Sequence, residues 1–151
     1  YKVTGVQTCA LPIYVDFKLD FYPELYSKND EVGKICSISG FGLTGTFRAG
    51  TTESDDKRRA GSNKISYIDR QLLICTPSFN NRTELEFLIG GGDSGGGLFI
   101  DNKLAGINSC VISSDGQPNS SYNDESGHTR ISEHIQWIQN NLRDYYGQKE
   151  E

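Results

Sequence analysis

The chain has 151 residues, of which 35% are apolar and 11% aromatic, and its 15 basic and 20 acidic residues give a net charge of −5. This size and composition are typical of one folded domain rather than of a disordered segment. The acidic balance argues against a nucleic-acid partner, which needs positive charge for the phosphates, and no apolar run has the length of a membrane span.

The first thirteen residues look foreign to the rest of the chain. The run VTGVQTCALPI, residues 3–13, is similar to the translated end of a common sequencing-library adapter, and the chain does not begin with methionine. We therefore expect residues 1–13 not to belong to the natural protein, and we set them aside as one sets aside a tag. On this expectation the natural sequence enters at about Tyr14, already truncated.

Short predicted strands follow one another through the middle of the chain. In chain order they are GKICSISG, KISYID, QLLICT, NNRTELEFLIG, GGLFI and KLAGINSC. Residues 45–63 and 113–127 are polar and contain glycine, which predicts two long exposed loops. The dipeptide Asp-Asn between GGLFI and KLAGINSC predicts a hairpin with a two-residue turn, although the usual glycine is missing there.

The C-terminal end has a helical pattern. Its apolar residues recur at three- and four-residue spacing, at Ile135, Ile138 and Leu142. Trp137 widens this apolar face, Ser132 is the predicted N-cap, and residues 146–151 are predicted to form a charged tail after a domain of residues 14–145. Many short strands and one terminal helix predict an all-β domain, either an antiparallel barrel or a sandwich, with a C-terminal α-helix.

The stretch GGGDSGGG, residues 90–97, surrounds one serine with glycines. A phosphate-binding loop would place Gly-Lys-Ser/Thr at the start of a helix, and a calcium-binding β-roll would need tandem copies. This stretch is not a flexible linker, because apolar predicted strands flank it directly on both sides. A nucleophile explains the composition best, because Gly92 lets a backbone N–H turn toward a developing oxyanion and the N–H of Ser94 can join it.

The pentapeptide GDSGG, residues 92–96, resembles the nucleophile signature of the chymotrypsin-like (trypsin-family) serine proteases. Four further motifs fall in the order of that family: GFGLTGT before the pentapeptide, and LAGINS, GHTRIS and HIQWIQNNL after it. Together they are similar to the family from about Tyr14 to Leu142. The resemblance implies the C-terminal antiparallel β-barrel of a two-barrel protease, followed by the family's C-terminal helix, with the N-terminal barrel largely missing.

The resemblance also implies roles for individual residues. Ser94 would be the nucleophile, the N–H groups of Gly92 and Ser94 the oxyanion hole, and Asp93 the carboxylate that pairs with the ammonium group of the mature N-terminus in active members. The residues implied to contact substrate are Leu88, Ser109, Cys110, Val111, Gly127 and His128. Backbone groups of residues 109–111 would pair with an extended polypeptide substrate, and no metal or organic cofactor is implied.

A serine hydroxyl needs a base within hydrogen-bond reach and a carboxylate that orients the base. The family carries both before the serine, whereas His128 and His134 follow it. We expect His134 at the surface and His128 beside the pocket, on the wrong side for a base, and Asp16 and Asp20 fall too late for the family aspartate. The chain is therefore expected to lack the triad histidine and aspartate, to be a protease fragment whose partner is the missing N-terminal barrel, and to be inactive alone.

Specificity is only faintly indicated by the resemblance. Leu88 stands where trypsin-type members hold an aspartate, which argues against a preference for basic residues. Val111 stands where a glycine admits large side chains, so a shallow pocket for small apolar residues is expected. Because His128 is expected beside the pocket, a preference for acidic residues before the cleaved bond stays open. A rival interpretation is a non-catalytic homologue that binds protein partners, and an intact Gly92-Asp93-Ser94 argues against it because a pure binder does not need the hydroxyl.

The cysteines leave the redox compartment open, because three remain after Cys9 is set aside and they allow at most one internal disulfide. By resemblance, Cys75 and Cys110 could form it, while Cys36 would be unpaired because its usual partner position holds Ile100. The family implies a secreted or periplasmic protein.

Two triplets fit acceptors of N-linked glycans. They are NRT at Asn81 and NSS at Asn119, and such triplets matter only in a eukaryotic secretory host.

Overall fold

The computed structural model describes residues 22–147, with side chains as far as residue 142. The adapter-like segment, Asp16, Asp20 and the end of the charged tail lie outside this range. The strands are β1 (Ile35–Gly40), β2 (Thr44–Thr46), β3 (Gly50–Glu53), β4 (Arg59–Asp69), β5 (Leu72–Cys75), β6 (Gly97–Ile100), β7 (Lys103–Ser113) and β8 (Asp124–Arg130). A 3₁₀ turn, Ile131–His134, leads into the helix α1, Ile135–Gly147.

Six of these strands close into a barrel in the order β1-β4-β5-β8-β7-β6, with antiparallel neighbours throughout. Closure leaves no open sheet edge, so the inward side chains form one core. The buried apolar side chains of the barrel include Ile38, Ile65, Leu73, Leu98 and Ile100. The predicted all-β fold, an antiparallel barrel with a C-terminal helix, is confirmed. None of the helices within residues 22–147 is long and apolar enough to cross a membrane.

The hairpin of β6 and β7 has the predicted two-residue turn. Asp101 and Asn102 both have positive φ, 50° and 62°, as a type I′ turn requires. Aspartate and asparagine tolerate this left-handed conformation better than other side chains, so the missing glycine is replaced at small cost. The hairpin brings β7 alongside the loop that carries Ser94.

Three predicted segments differ from the structure. The predicted loop of residues 113–127 ends early, because β8 begins at Asp124. Residues 45–63 are not one loop, because they contain most of β2, all of β3 and the start of β4. NNRTELEFLIG forms no strand and makes only a bridge between Glu86 and Ser62. In the barrel, β4 already pairs with β1 and β5, so little of its backbone is left for a further strand. The alternation of apolar residues in the sequence does not reveal this.

The start of the helix differs too. Ser132 is not the N-cap, because the 3₁₀ turn begins one residue earlier and Arg130 precedes it without a side-chain cap. The Ser132 hydroxyl instead donates to Glu31 Oε1 at 2.7 Å. Glu31 also accepts two bonds from the Arg130 guanidinium, both at 2.9 Å. This buried cluster ties the segment before β1 to the end of β8.

Candidate active site

Ser94 lies in the second of two consecutive β-turns. The Asp93 N–H donates to Gly90 O, and the Gly96 N–H donates to Asp93 O, each at 3.1 Å. The third position of each turn has positive φ, 98° at Gly92 and 85° at Gly95. This pattern is typical of type II turns, which need glycine at that position. The glycines therefore fold this loop, and the Ser94 side chain is exposed at its tip.

Hydrogen bonds hold the loop that carries Ser94 against β7. Gly95 N–H donates to Asn108 O at 2.9 Å, and Asn108 N–H donates to Gly96 O at 2.8 Å. The Asn108 side-chain amide donates to the carbonyls of Ser39, at 3.1 Å, and Asp93, at 3.2 Å. A Cβ on Gly96 would lie 2.6 Å from Ser39 O, so this glycine allows the close approach to β1.

The carboxylate of Asp93 lies beneath the nucleophile loop and is 3% exposed. Its two oxygens accept the N–H groups of Gly42, at 2.7 Å, and Gly90, at 2.8 Å. A Cβ on Gly40 would lie 1.9 Å from Asp93 Oδ1, which explains the glycines of the GFG motif. A cavity of about 140 Å³ adjoins Asp93, and Leu88 lies in its wall.

Two backbone N–H groups of the loop that carries Ser94 have no acceptor among the described residues. They are those of Gly92 and Ser94, the two that the resemblance assigns to an oxyanion hole. The Ser94 hydroxyl itself has a long contact of 3.5 Å to the carbonyl of Ser109. Ser109 is the extra residue of a β-bulge, between Asn108 and Cys110, which turns its carbonyl out of the regular ladder.

The residues that follow Ser109 form a short wall. Cys110 pairs with Gly127 on β8, and a Cβ on Gly127 would lie 2.8 Å from the Cys110 sulfur. The thiol therefore covers Gly127. Val111 is half-buried and packs against the barrel core. The structure thus brings Ser109 to the Ser94 hydroxyl and Cys110 onto Gly127.

The cysteines are arranged differently from the expectation. Cys36, Cys75 and Cys110 are all free thiols, so the disulfide between Cys75 and Cys110 is not formed. Cys75 and Cys36 both point into the barrel, where their sulfurs are 3.9 Å apart, while the Cys110 sulfur lies over Gly127. Cys36 does lie at the same level as Ile100, since the neighbouring residues Ser37 and Phe99 pair directly.

Neither histidine lies beside the nucleophile. His128 has no exposed surface, and its Nδ1 is 2.9 Å from Asn108 Oδ1. His134 is half-buried in an apolar groove with Ile107 and Trp137. Among the residues that the structure describes, Ser94 Oγ therefore has no base within hydrogen-bond reach, and no three His, Cys, Asp or Glu side chains form a metal-binding group.

Burial lowers the pKa of His128 to about 4, because it removes the charged imidazolium from water, and the buried Nε2 has no hydrogen-bond partner among the described residues. The folded state therefore takes up the proton only as the pH falls through about 4, whereas the unfolded chain takes it up as the pH falls through about 6.5. Stability is retained above pH 6.5 and falls with pH, since the unfolded chain binds the proton first. We expect a loss of about 2 kcal/mol in the free energy of unfolding at pH 5 and about 3 kcal/mol at pH 4.

This loss can be measured by urea unfolding between pH 7 and pH 5. His128→Asn, which keeps a donor toward Asn108 but does not titrate, should flatten the slope, and His134→Asn should leave the slope in place. An unchanged slope in His128→Asn would show that another group causes the acid loss.

The chain is similar to proteins of one known family. The family model described as Trypsin matches residues 22–138. Mouse neuropsin, described as a serine protease expressed in the limbic system of the brain, is 22% identical over 80% of this chain with a TM-score of 0.59. A mutant of human heparin binding protein is 17% identical over 85% of this chain with a TM-score of 0.61.

The chain spans about half the length of these solved structures, 53% of the neuropsin chain and 55% of the heparin binding protein chain. At such identities the likeness concerns the fold.

Proposed function

The chain belongs to the trypsin family, and on this premise we propose that it carries the nucleophile of a serine endopeptidase at Ser94. One observation carries the proposal. Ser94 is exposed, and the N–H groups of Gly92 and Ser94 in the same loop have no acceptor among the described residues. Two such donors, fixed in advance by folded turns, are what a developing oxyanion requires.

In the proposed reaction, Ser94 Oγ attacks the carbonyl carbon of a peptide bond and its proton passes to a base. The carbonyl oxygen becomes an oxyanion and accepts the Gly92 and Ser94 N–H groups. The base then returns the proton to the leaving amine, and water hydrolyses the acyl-enzyme ester in a second step. The backbone at Ser109–Val111 would hold the substrate as an added strand.

We further propose that the base and its orienting carboxylate come from an N-terminal barrel outside this chain. Support comes from the placement of His128 in the core and His134 in a groove lined by Trp137. The half-length match to the solved relatives agrees with it. The cavity beside Asp93 would then receive the ammonium group of the mature N-terminus, next to a carboxylate that already accepts two N–H groups.

The proposed substrate preference is a small apolar residue before the cleaved bond. Cys110 and Val111 directly follow Ser109, whose carbonyl contacts the Ser94 hydroxyl, and the Cys110 thiol covers Gly127. Leu88, at the position where trypsin-type members hold an aspartate, is apolar and 7% exposed. A basic side chain would find no partner at Leu88, whereas burial of a methyl or isopropyl group is favourable.

The proposal can be tested by expressing the complete natural protein, with the residues that the source gene encodes before Tyr14. We expect the complete protein to hydrolyse fluorogenic peptides with small apolar residues before the bond, and the present chain to remain at background. Turnover by the present chain that disappears in Ser94→Ala would contradict the proposal that the base lies elsewhere. Absence of turnover in the correctly folded and processed complete protein would contradict the endopeptidase itself.

The alternative function is that of a non-catalytic homologue that binds a partner. One relative of known structure is a heparin binding protein, so heparin is one ligand to consider. Heparin is a polyanion, and a binding protein for it needs clustered positive charge. The present chain has a net charge of −5, which does not favour this ligand. The exposed Ser94 and the two N–H groups of its loop that have no acceptor among the described residues favour the endopeptidase.

A further inference from the structure

The two glycan-acceptor triplets of the chain lie in different surroundings. Asn81, in the triplet Asn-Arg-Thr, is exposed in the segment between β5 and β6 and has a φ of 59°. Among the described hydrogen bonds its side-chain amide makes none, and asparagine tolerates this left-handed conformation. The amide nitrogen of Asn81 is therefore free to carry a substituent.

Asn119, in the triplet Asn-Ser-Ser, is half-buried and already engaged. Its Oδ1 accepts the Ser121 N–H at 3.1 Å, and its backbone N–H donates to Asp124 Oδ2 at 2.9 Å. Its side chain packs against Gly50, where a Cβ would lie 2.8 Å from Asn119 Nδ2. A sugar on this nitrogen would displace the start of β3, so a chain that received it before folding would fold poorly.

An aromatic surface adjoins the exposed triplet. Phe79, two residues before Asn81, is 71% exposed, and its ring stacks on Tyr122 with centroids 4.5 Å apart. The Arg82 guanidinium lies 5.5 Å from the centre of the same Tyr122 ring. A large exposed aromatic side chain is unfavourable in water, and the carbon–hydrogen face of a sugar can cover it.

We propose that Asn81 is an N-glycosylation site of this protein in a eukaryotic secretory pathway and that Asn119 is not one. The donor is a lipid-linked pyrophosphoryl oligosaccharide. A bond forms between Asn81 Nδ2 and the anomeric carbon, the bond from that carbon to the pyrophosphate oxygen breaks, and the amide proton leaves with the lipid pyrophosphate. Members of the trypsin family are often secreted, and the site does not depend on the activity of Ser94.

Secretion of the full chain from a eukaryotic host, behind a cleavable signal sequence, tests the proposal. The secreted protein should carry one glycan that peptide-N-glycosidase F removes, and the product should have the mass of the Asn81→Asp variant. Asn81→Asp keeps a side chain that tolerates the left-handed backbone but lacks the amide, so it should be secreted without a glycan. Asn119→Asp and Asn80→Asp, the latter an exposed neighbour outside the triplet, should keep the glycan.

Three results would overturn the proposal. One is a glycan on secreted Asn81→Asp, which would place it at Asn119. Another is a secreted chain with no glycan while a control glycoprotein from the same cells carries one. The third is loss of the glycan in Asn119→Asp while Asn81 is intact. If Asn81→Asp is not secreted, glycopeptide mass spectrometry of the unmodified chain decides between the two sites.

Discussion

In the complete protein, replacement of Ser94 by alanine should lower kcat/KM for peptide hydrolysis by about 10⁵-fold or more, because loss of the nucleophile removes the acyl-enzyme route. The activity left should be the small acceleration that substrate binding and the oxyanion donors provide without a nucleophile. Ser94 is exposed, and its only described side-chain contact is the long one to Ser109 O. The free energy of unfolding should therefore change by less than about 0.5 kcal/mol.

The matched control for this variant is Ser54→Ala, an exposed serine on the polar segment between β3 and β4. It should keep full activity. Steady-state kinetics on fluorogenic peptides and urea unfolding of both variants separate a chemical loss from a folding loss. Activity in Ser94→Ala within tenfold of the unmodified enzyme would mean that another group is the nucleophile.

Replacement of Glu31 by alanine should lower the free energy of unfolding by about 4 kcal/mol, because it leaves the Arg130 guanidinium buried without its main partner. Glu31 is 1% exposed and Arg130 is 7% exposed, and two hydrogen bonds of 2.9 Å join them. Burial raises the pKa of Glu31, but the bonds from Arg130 and Ser132 outweigh it and hold the pKa below its ordinary value. The carboxylate is therefore charged in the folded state near neutral pH.

The chain contains a matched ion pair at the surface. Glu24 and Lys103 are 74% and 46% exposed in their side chains, so Glu24→Ala should cost far less than Glu31→Ala. The double variant Glu31→Ala with Arg130→Met should recover a large part of the loss, since it removes the buried charge as well. Urea unfolding measures all three, and equal costs for Glu24→Ala and Glu31→Ala would contradict the argument.

The pH dependence provides a second check on Glu31. Its lowered pKa contributes stability above the ordinary value of 4.5, and this contribution is lost as the pH falls through the lower folded value. Glu31→Ala should therefore reduce the acid dependence only below about pH 4.5. The loss attributed to His128 begins two units higher, so the two groups can be separated in one titration of stability.

Local patterns in the sequence were sufficient for the parts of the fold that depend on neighbouring residues. Alternating apolar residues located β1, β5 and the hairpin of β6 and β7. The glycines around Ser94 predicted a nucleophile loop, because the two turns there need glycine whatever surrounds them. The strand predicted for NNRTELEFLIG was wrong. The segment does alternate apolar and polar residues, but the barrel strands already use one another as backbone hydrogen-bond partners.

The sequence by itself determined the family resemblance, the nucleophile motif and the class of the fold, since each of these depends on a short run of residues and the conformations they allow. Only the tertiary structure decided which distant groups meet. It joined Glu31 to Arg130, His128 to Asn108 and Cys36 to Cys75, and it separated Asn81 from Asn119 by exposure. These contacts depend on how the barrel closes, and closure is a property of all six strands together that no local stretch of sequence contains.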